Sequence, residues 1–246
     1  MGKSMTTVGV VKALYYYPVK SMRGLAIAEA RVGWHGLEGD RRYAFVRTGN
    51  ASDFPWLTAR QVPALVRYAP YVVDQADPAA STVCVVTPDG ADLLVRSDAL
   101  RRELAAHYGA PAHLEESARG VFDCASVSLI GAATIDALGV ANGSPLDPRR
   151  FRPNILVAAS SAEPFVEEGW LGSALVFGDR DDAVHIRLDE RDPRCMMINL
   201  DPDTAAQRPT VLKTVVRAYD GCVGLYGAPE RRGTIRVGDV IRLRAP

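Results

Sequence analysis

One thiol in this chain is set where it could do chemistry. Cys195 lies in Asp192-Pro193-Arg194-Cys195-Met196-Met197-Ile198-Asn199-Leu200-Asp201-Pro202-Asp203-Thr204, beside an arginine and ahead of a short apolar run and an acidic turn. A thiolate is both a nucleophile and a ligand for soft metals, and an adjacent cation favours the thiolate form of a cysteine. Free cysteine is also among the residues most often simply buried, so its immediate neighbours alone leave packing the commoner role.

Other clusters supply what the thiol lacks. Tyr17-Pro18-Val19-Lys20-Ser21-Met22-Arg23-Gly24 offers an ammonium, a hydroxyl and a guanidinium close together, a set that suits a phosphate. In Gly39-Asp40-Arg41-Arg42-Tyr43, strand alternation would put Arg41 and Tyr43 on one face and Arg42 on the other, so one arginine could point at the same anion. Leu57-Thr58-Ala59-Arg60-Gln61 is a short polar cluster ahead of an apolar run. Arg149-Arg150-Phe151-Arg152-Pro153-Asn154 could hold a phosphate with its arginines, while the Asn154 amide offers a donor and an acceptor to a pterin- or purine-like edge. Gly224-Leu225-Tyr226-Gly227 leads into Gly233-Thr234-Ile235-Arg236-Val237-Gly238-Asp239, which reads as a hairpin closing a sheet. Each cluster also has an ordinary reading as solvated loop polarity. His35, His107, His113 and His185 show no metal-ligand spacing, and Ser160-Ser161 lacks the frame of a nucleophile elbow.

The elements that must position these groups are mostly strands. Val8 to Tyr17, Ala26 to Val32, Arg42 to Arg47, Leu65 to Val73, Thr82 to Thr87 and Asp92 to Val95 read as strands between turn signals. Ser97 to Tyr108 changes to a helical period, with Leu100, Leu104 and Tyr108 on one face and Ser97 as cap. Ser128 to Leu138 predicts a second helix capped by Ser128 and stopped at Gly139, and Pro209 to Tyr219 a third. Ile155 to Ala159, Ala174 to Phe177, His185 to Leu188, Met196 to Leu200 and Ile235 to Leu243 read as strands. The polar stretch from Leu114 to Phe122 is the expected boundary, dividing a first domain over 1–116 from a second over 117–246. The predicted class is α+β, strand-dominated and barrel-like, with helices at the rim.

Composition narrows the partners. Hydrophobic residues make up 48% and charged residues 24% of the 246, as in ordinary globular proteins. Lys and Arg total 29 and Asp and Glu total 29, so no basic excess argues for nucleic acid as a binding partner. The 4 cysteines, Cys84, Cys124, Cys195 and Cys222, are scattered, which fits neither a disulfide scaffold, a zinc site nor an iron–sulfur cluster. With no long apolar segment, a cytoplasmic protein away from the membrane is expected. Met1-Gly2-Lys3-Ser4-Met5-Thr6 fits a myristoylation pattern that many chains match by chance, and is discounted.

Taken in order, Tyr17-Pro18-Val19-Lys20-Ser21, Asp40-Arg41, Thr58-Ala59-Arg60-Gln61, Phe151-Arg152-Pro153-Asn154, Arg194-Cys195 with Asp201-Pro202-Asp203-Thr204, and Gly233 to Asp239 resemble the MOSC-domain proteins. These are named for the molybdenum cofactor sulfurase C-terminal domain, and the branch resembled includes the mitochondrial amidoxime-reducing component and bacterial relatives. The resemblance covers nearly the whole chain. It implies an amino-terminal β-barrel domain packed on a MOSC β-barrel domain, with a molybdenum cofactor (Mo-molybdopterin) between them. Cys195 falls on the catalytic, metal-ligating position. Lys20, Ser21, Arg41, Arg152 and Asn154 fall on cofactor-holding positions, as do Pro193, Arg194 and Tyr226. Cys124 and Ala125 stand where the family often has a hydroxyl pair, so only backbone contacts carry over there.

The resemblance implies reduction of N-hydroxylated or N-oxygenated small molecules, with oxygen removed at the metal. No cysteine follows Cys222, so a fused ferredoxin-like domain is not expected, and electrons would come from a separate ferredoxin- or flavin-type reductase partner. Two other readings stay open: a sulfur-transfer protein carrying a persulfide on Cys195, and a non-catalytic carrier of the cofactor.

Overall fold

In the computed structural model, residues 5–244 are described; the first four residues of the discounted myristoylation pattern lie outside the described residues. The chain opens with β1 (Met5–Tyr16), β2 (Leu25–Ile27), β3 (Glu29–Gly33), β4 (Gly36–Leu37) and β5 (Tyr43–Arg47). A meander of β6 (Ala69–Val72), β7 (Val83–Val86) and β8 (Asp92–Leu94) follows, then α1 (Asp98–Tyr108) and β9 (Ala112–Glu116). The second half runs β10 (Val127–Gly131), α2 (Ala132–Ala141), β11 (Ile155–Ala159), β12 (Ala174–Phe177) and β13 (Val184–Pro193). It ends with α3 (Thr210–Tyr219), β14 (Cys222–Arg231), β15 (Gly233–Arg236) and β16 (Val240–Arg244).

The strand-dominated α+β class is as expected, and a barrel closes. The order is β11-β10-β14-β13-β12-β16-β1, and β1 pairs back onto β11 to complete a ring of seven strands. Closure leaves the ring without an open edge to cap. Val11, Leu14, Leu129, Val157, Phe177, Ile186 and Leu225 fill its interior. A second core, around Tyr43, Phe45, Leu57, Tyr68, Val85, Leu100 and Leu104, lies among β5 to β9 and α1. The halves are interleaved: β1 belongs by pairing to the barrel, and β15 returns to pair with β3.

Several local expectations differ from the structure. Helix α1 is as read, with Ser97 Oγ accepting from Leu100 N at 3.3 Å. Ser128, expected as a helix cap, instead lies inside β10, and the helix begins only at Ala132. That start is held by Glu167, buried and 36 residues distant, which accepts from Gly131 N at 2.9 Å and from Thr134 Oγ1 at 3.0 Å. Such a cap is set by tertiary structure and has no local sequence signal. Gly139 does not stop the helix. It lies within it, where an added Cβ would meet Pro145 Cα and Ser144 O at 3.2 Å, so it admits the returning chain. Met196–Asn199 and Pro63–Arg67 are 3-10 turns rather than strand. Ala26 to Val32 breaks into β2 and β3. The long strand β14 carries Gly224, Gly227 and Pro229, which read as breakers in sequence.

Candidate active site

Seven segments meet at one cavity. Its wall includes Lys20, Ser21, Arg41, Arg60, Ala125, Arg152, Asn154, Asp192, Pro193, Arg194, Cys195 and Tyr226. The structure therefore gathers every expected site residue except Cys124, which is exposed and does not line the cavity. Cys195 follows the end of β13 and opens the Met196–Asn199 turn, so its thiol is presented at a strand end.

Three of these residues hold backbone that ordinary side chains avoid. Ser21, Arg41 and Arg152 have φ of 66°, 49° and 51°, in the left-handed region. Such conformations cost on the order of 1–3 kcal/mol each and persist where surrounding structure enforces them. Here they place three polar side chains around one space.

The cations of the wall differ in how they are balanced. Lys20 is buried, donates to Val121 O at 3.0 Å and pairs with Asp123 at 2.5 Å. Desolvation nonetheless lowers its pKa from the ordinary lysine value. Arg41 pairs with the buried Asp40 and donates to Arg152 O at 3.2 Å. Burial opposes its charge, but Asp40, Tyr17 and Tyr226 outweigh that and raise its pKa. Arg194 donates to Val223 O at 2.8 Å and Phe151 O at 2.7 Å. Its Nη2 lies 2.8 Å from Asp192 Oδ2 as an ion pair without hydrogen-bond alignment.

Arg152 is the exception. It donates to Met22 O at 2.7 Å and lies 4.4 Å over the Tyr17 ring, but it makes no ion pair among the described residues. Its Nη2 is buried with no hydrogen-bond partner. Desolvation lowers its pKa to about 10. A buried guanidinium without a counter-charge is unfavourable unless an anion joins it.

Two residues do something other than the sequence suggests. Asn154 is buried with its amide committed: Nδ2 donates to Asp40 at 3.0 Å and Tyr15 O at 3.3 Å, and Oδ1 accepts from Ser128 N at 3.1 Å and Arg41 at 3.4 Å. It holds Asp40 and Arg41 in place and leaves no free edge for a heterocycle. The cation that meets the Cys195 sulfur is Arg60, whose pKa is raised chiefly by a side-chain hydrogen bond to Cys195. Arg60 also lies 5.5 Å over the Phe54 ring. Asp40 and Asp192 were not singled out as site residues, because a lone acidic residue at a strand end has no distinctive spacing.

Among the described residues no three His, Cys, Asp or Glu side chains gather to hold a bare metal ion. Two family models together extend over nearly the whole chain. The MOSC domain model matches residues 106–242, and that of the MOSC N-terminal β-barrel domain matches 8–121. The chain is a MOSC-domain protein.

Its relatives are distant but extend over nearly its whole length. Mitochondrial amidoxime reducing component 2 of Rattus norvegicus is 24% identical over 97% of this MOSC protein and 84% of its own length. Mitochondrial amidoxime-reducing component 1 of Homo sapiens is 24% identical over 96% and 83%. The crystal structure of the YUAD protein from Bacillus subtilis shares the fold, with a TM-score of 0.53 over 100% of both chains at 15% identity. No helix among the described residues of this MOSC protein is long and apolar enough to cross a membrane.

Proposed function

We propose that this MOSC protein is a molybdenum-cofactor-dependent oxidoreductase that removes oxygen from N-hydroxylated or N-oxygenated small molecules. The observation that carries the reading is Arg152, a buried cation in no ion pair among the described residues, in the same wall as Lys20, Arg41 and the Cys195 thiol. Arg152, Lys20 and Arg41 would hold the cofactor's phosphate, with Ser21 adding a hydroxyl from the strained turn. Cys195 would be the protein's thiolate ligand, with Arg60 beside it balancing the negative charge. The bound group supplies two-electron oxygen removal, while the protein supplies binding, orientation and electrostatics.

The net reaction, R–NH–OH + 2 e⁻ + 2 H⁺ → R–NH₂ + H₂O, needs a reductant. A separate ferredoxin- or flavin-type electron-transfer protein fits that need, and the amidoxime-reducing relatives are consistent with the substrate class.

The test is metal and pterin analysis of protein from a cofactor-competent host, wild type against Cys195→Ala, followed by turnover of an amidoxime with an artificial reductant. Stoichiometric molybdenum in the wild type, its loss or inactivation in the variant, and reduction of the amidoxime are expected. A cyanide-labile sulfur on Cys195 without molybdenum would overturn the proposal in favour of sulfur transfer. Full metal loading without turnover would overturn it in favour of a carrier.

A further inference from the structure

Two carboxylates stand in the cavity wall, and they are unlike. Asp123 is 49% exposed and pairs with Lys20, whereas Asp192 is 1% exposed. The two oxygens of Asp192 are also unequal. Oδ2 accepts from Ser128 Oγ at 2.7 Å and faces Arg194 Nη2 at 2.8 Å. Oδ1 is buried and has no hydrogen-bond partner among the described residues. An oxygen left bare in that way is costly when the carboxylate is charged. A proton can settle on Oδ1 without displacing the contacts that Oδ2 makes with Ser128 and Arg194.

We infer that Asp192 is a further ligand-binding residue of this cavity and works there as a neutral acid, taking up a proton when an anionic ligand fills the site. The inference rests on the cofactor reading above. Desolvation already raises the Asp192 pKa to about 6, against the opposing pull of Arg194, Ser128, Arg41 and Tyr226. The other ionisable neighbours do not reverse this. Tyr226 is pushed up by burial and by Asp192, and the Cys124 thiol by burial, Glu190, Asp123 and Asp192, so both stay neutral near pH 7. A phosphate and sulfur ligands brought into the same wall add negative charge, which drives the carboxyl pKa further up. The filled site then holds Asp192 protonated at neutral pH, while the empty site does not.

The sign of the pH dependence follows. Below pH about 6 both states carry the proton, and ligand affinity does not depend on this group. Above that, binding must take up a proton, and affinity falls by up to about tenfold per pH unit until the pKa of the loaded state is passed. The ligand phosphate ionises in the same range, near pH 6, and acts in the opposite sense. Comparison with Asp192→Asn, which has the same shape and no titration, isolates the carboxyl.

The experiment loads wild type and Asp192→Asn in a cofactor-competent host and measures retained pterin and molybdenum after prolonged dialysis from acid to mildly alkaline pH. Retention by the wild type relative to the variant is expected to fall by about 3–10-fold per pH unit above the carboxyl pKa, with the two alike in acid. A ratio that does not change with pH, or a folded Asn variant that loses pterin at every pH, overturns the inference. If the variant fails to fold, the infrared carboxyl C=O band of the wild type decides. A protonated carboxyl at neutral pH in the loaded form and not in the empty form is expected, and its absence overturns the inference. A wild type holding neither pterin nor molybdenum removes the cofactor reading and this inference with it, whereas a loaded wild type with a flat ratio removes only the inference.

Discussion

Replacing Arg152 by methionine separates stability from binding, because the two should move in opposite directions. The Arg152 pKa is depressed from 12.5 to about 10. A depression of that size corresponds to roughly 3 kcal/mol against the charged form. For a base with a lowered folded pKa, this penalty is present at every pH below about 10 and is relieved only above it. Methionine removes the charge and keeps much of the packing against Tyr17, at the loss of the bond to Met22 O. Subtracting about 1–2 kcal/mol for that bond and the cation–π contact leaves a net gain of about 1–2 kcal/mol. The empty variant should therefore melt about 2–8 °C higher than the empty wild type. When an anion relieves the strain on Arg152, the same roughly 3 kcal/mol appears as affinity, so the variant should hold pterin on the order of 100-fold more weakly. Thermal denaturation of protein made without the cofactor checks the first half, and pterin retained on dialysis checks the second. Refutation would be an empty variant that melts several degrees lower, or one that keeps pterin as tightly as wild type.

Removing the carboxylate beside Arg41 should act in the opposite way. Asp40→Asn leaves Arg41 buried without its counter-charge and weakens the anchors from Tyr17 N and Asn154. Breaking a buried pair in this way costs about 3–5 kcal/mol, so urea unfolding of the empty protein should shift to much lower denaturant. At the barrel's polar end, Gly224 has φ +78°, and an added Cβ would stand 2.6 Å from Leu129 O. Gly224→Ala should cost about 2 kcal/mol or more and displace Arg194, which approaches the same point at 3.1 Å; melting temperature and pterin content should fall together.

Periodicity exposed the regular parts. The alternating burial of β1 and β7 and the Leu100–Leu104 face of α1 are local patterns, and they fold as read. The extent of β14 was hidden, because its glycines and proline are tolerated only inside a barrel whose neighbouring strands enforce the extended path. The cap on α2 was hidden for a related reason: Glu167 reaches it from another part of the chain.

At the site, residue types in order were enough to single out Cys195, Lys20, Ser21, Arg41 and Arg152 as belonging together. Whether those charges are balanced was beyond the sequence, since an arginine looks the same paired or unpaired. Only the packed structure pairs Arg41 with Asp40 and Arg194 with Asp192 while leaving Arg152 without an ion pair among the described residues. It also turns Arg194, the neighbour of Cys195 in sequence, away to backbone carbonyls and brings up Arg60 instead. The physical reason is that composition fixes how many charges a chain carries, whereas burial and distance fix what each one costs.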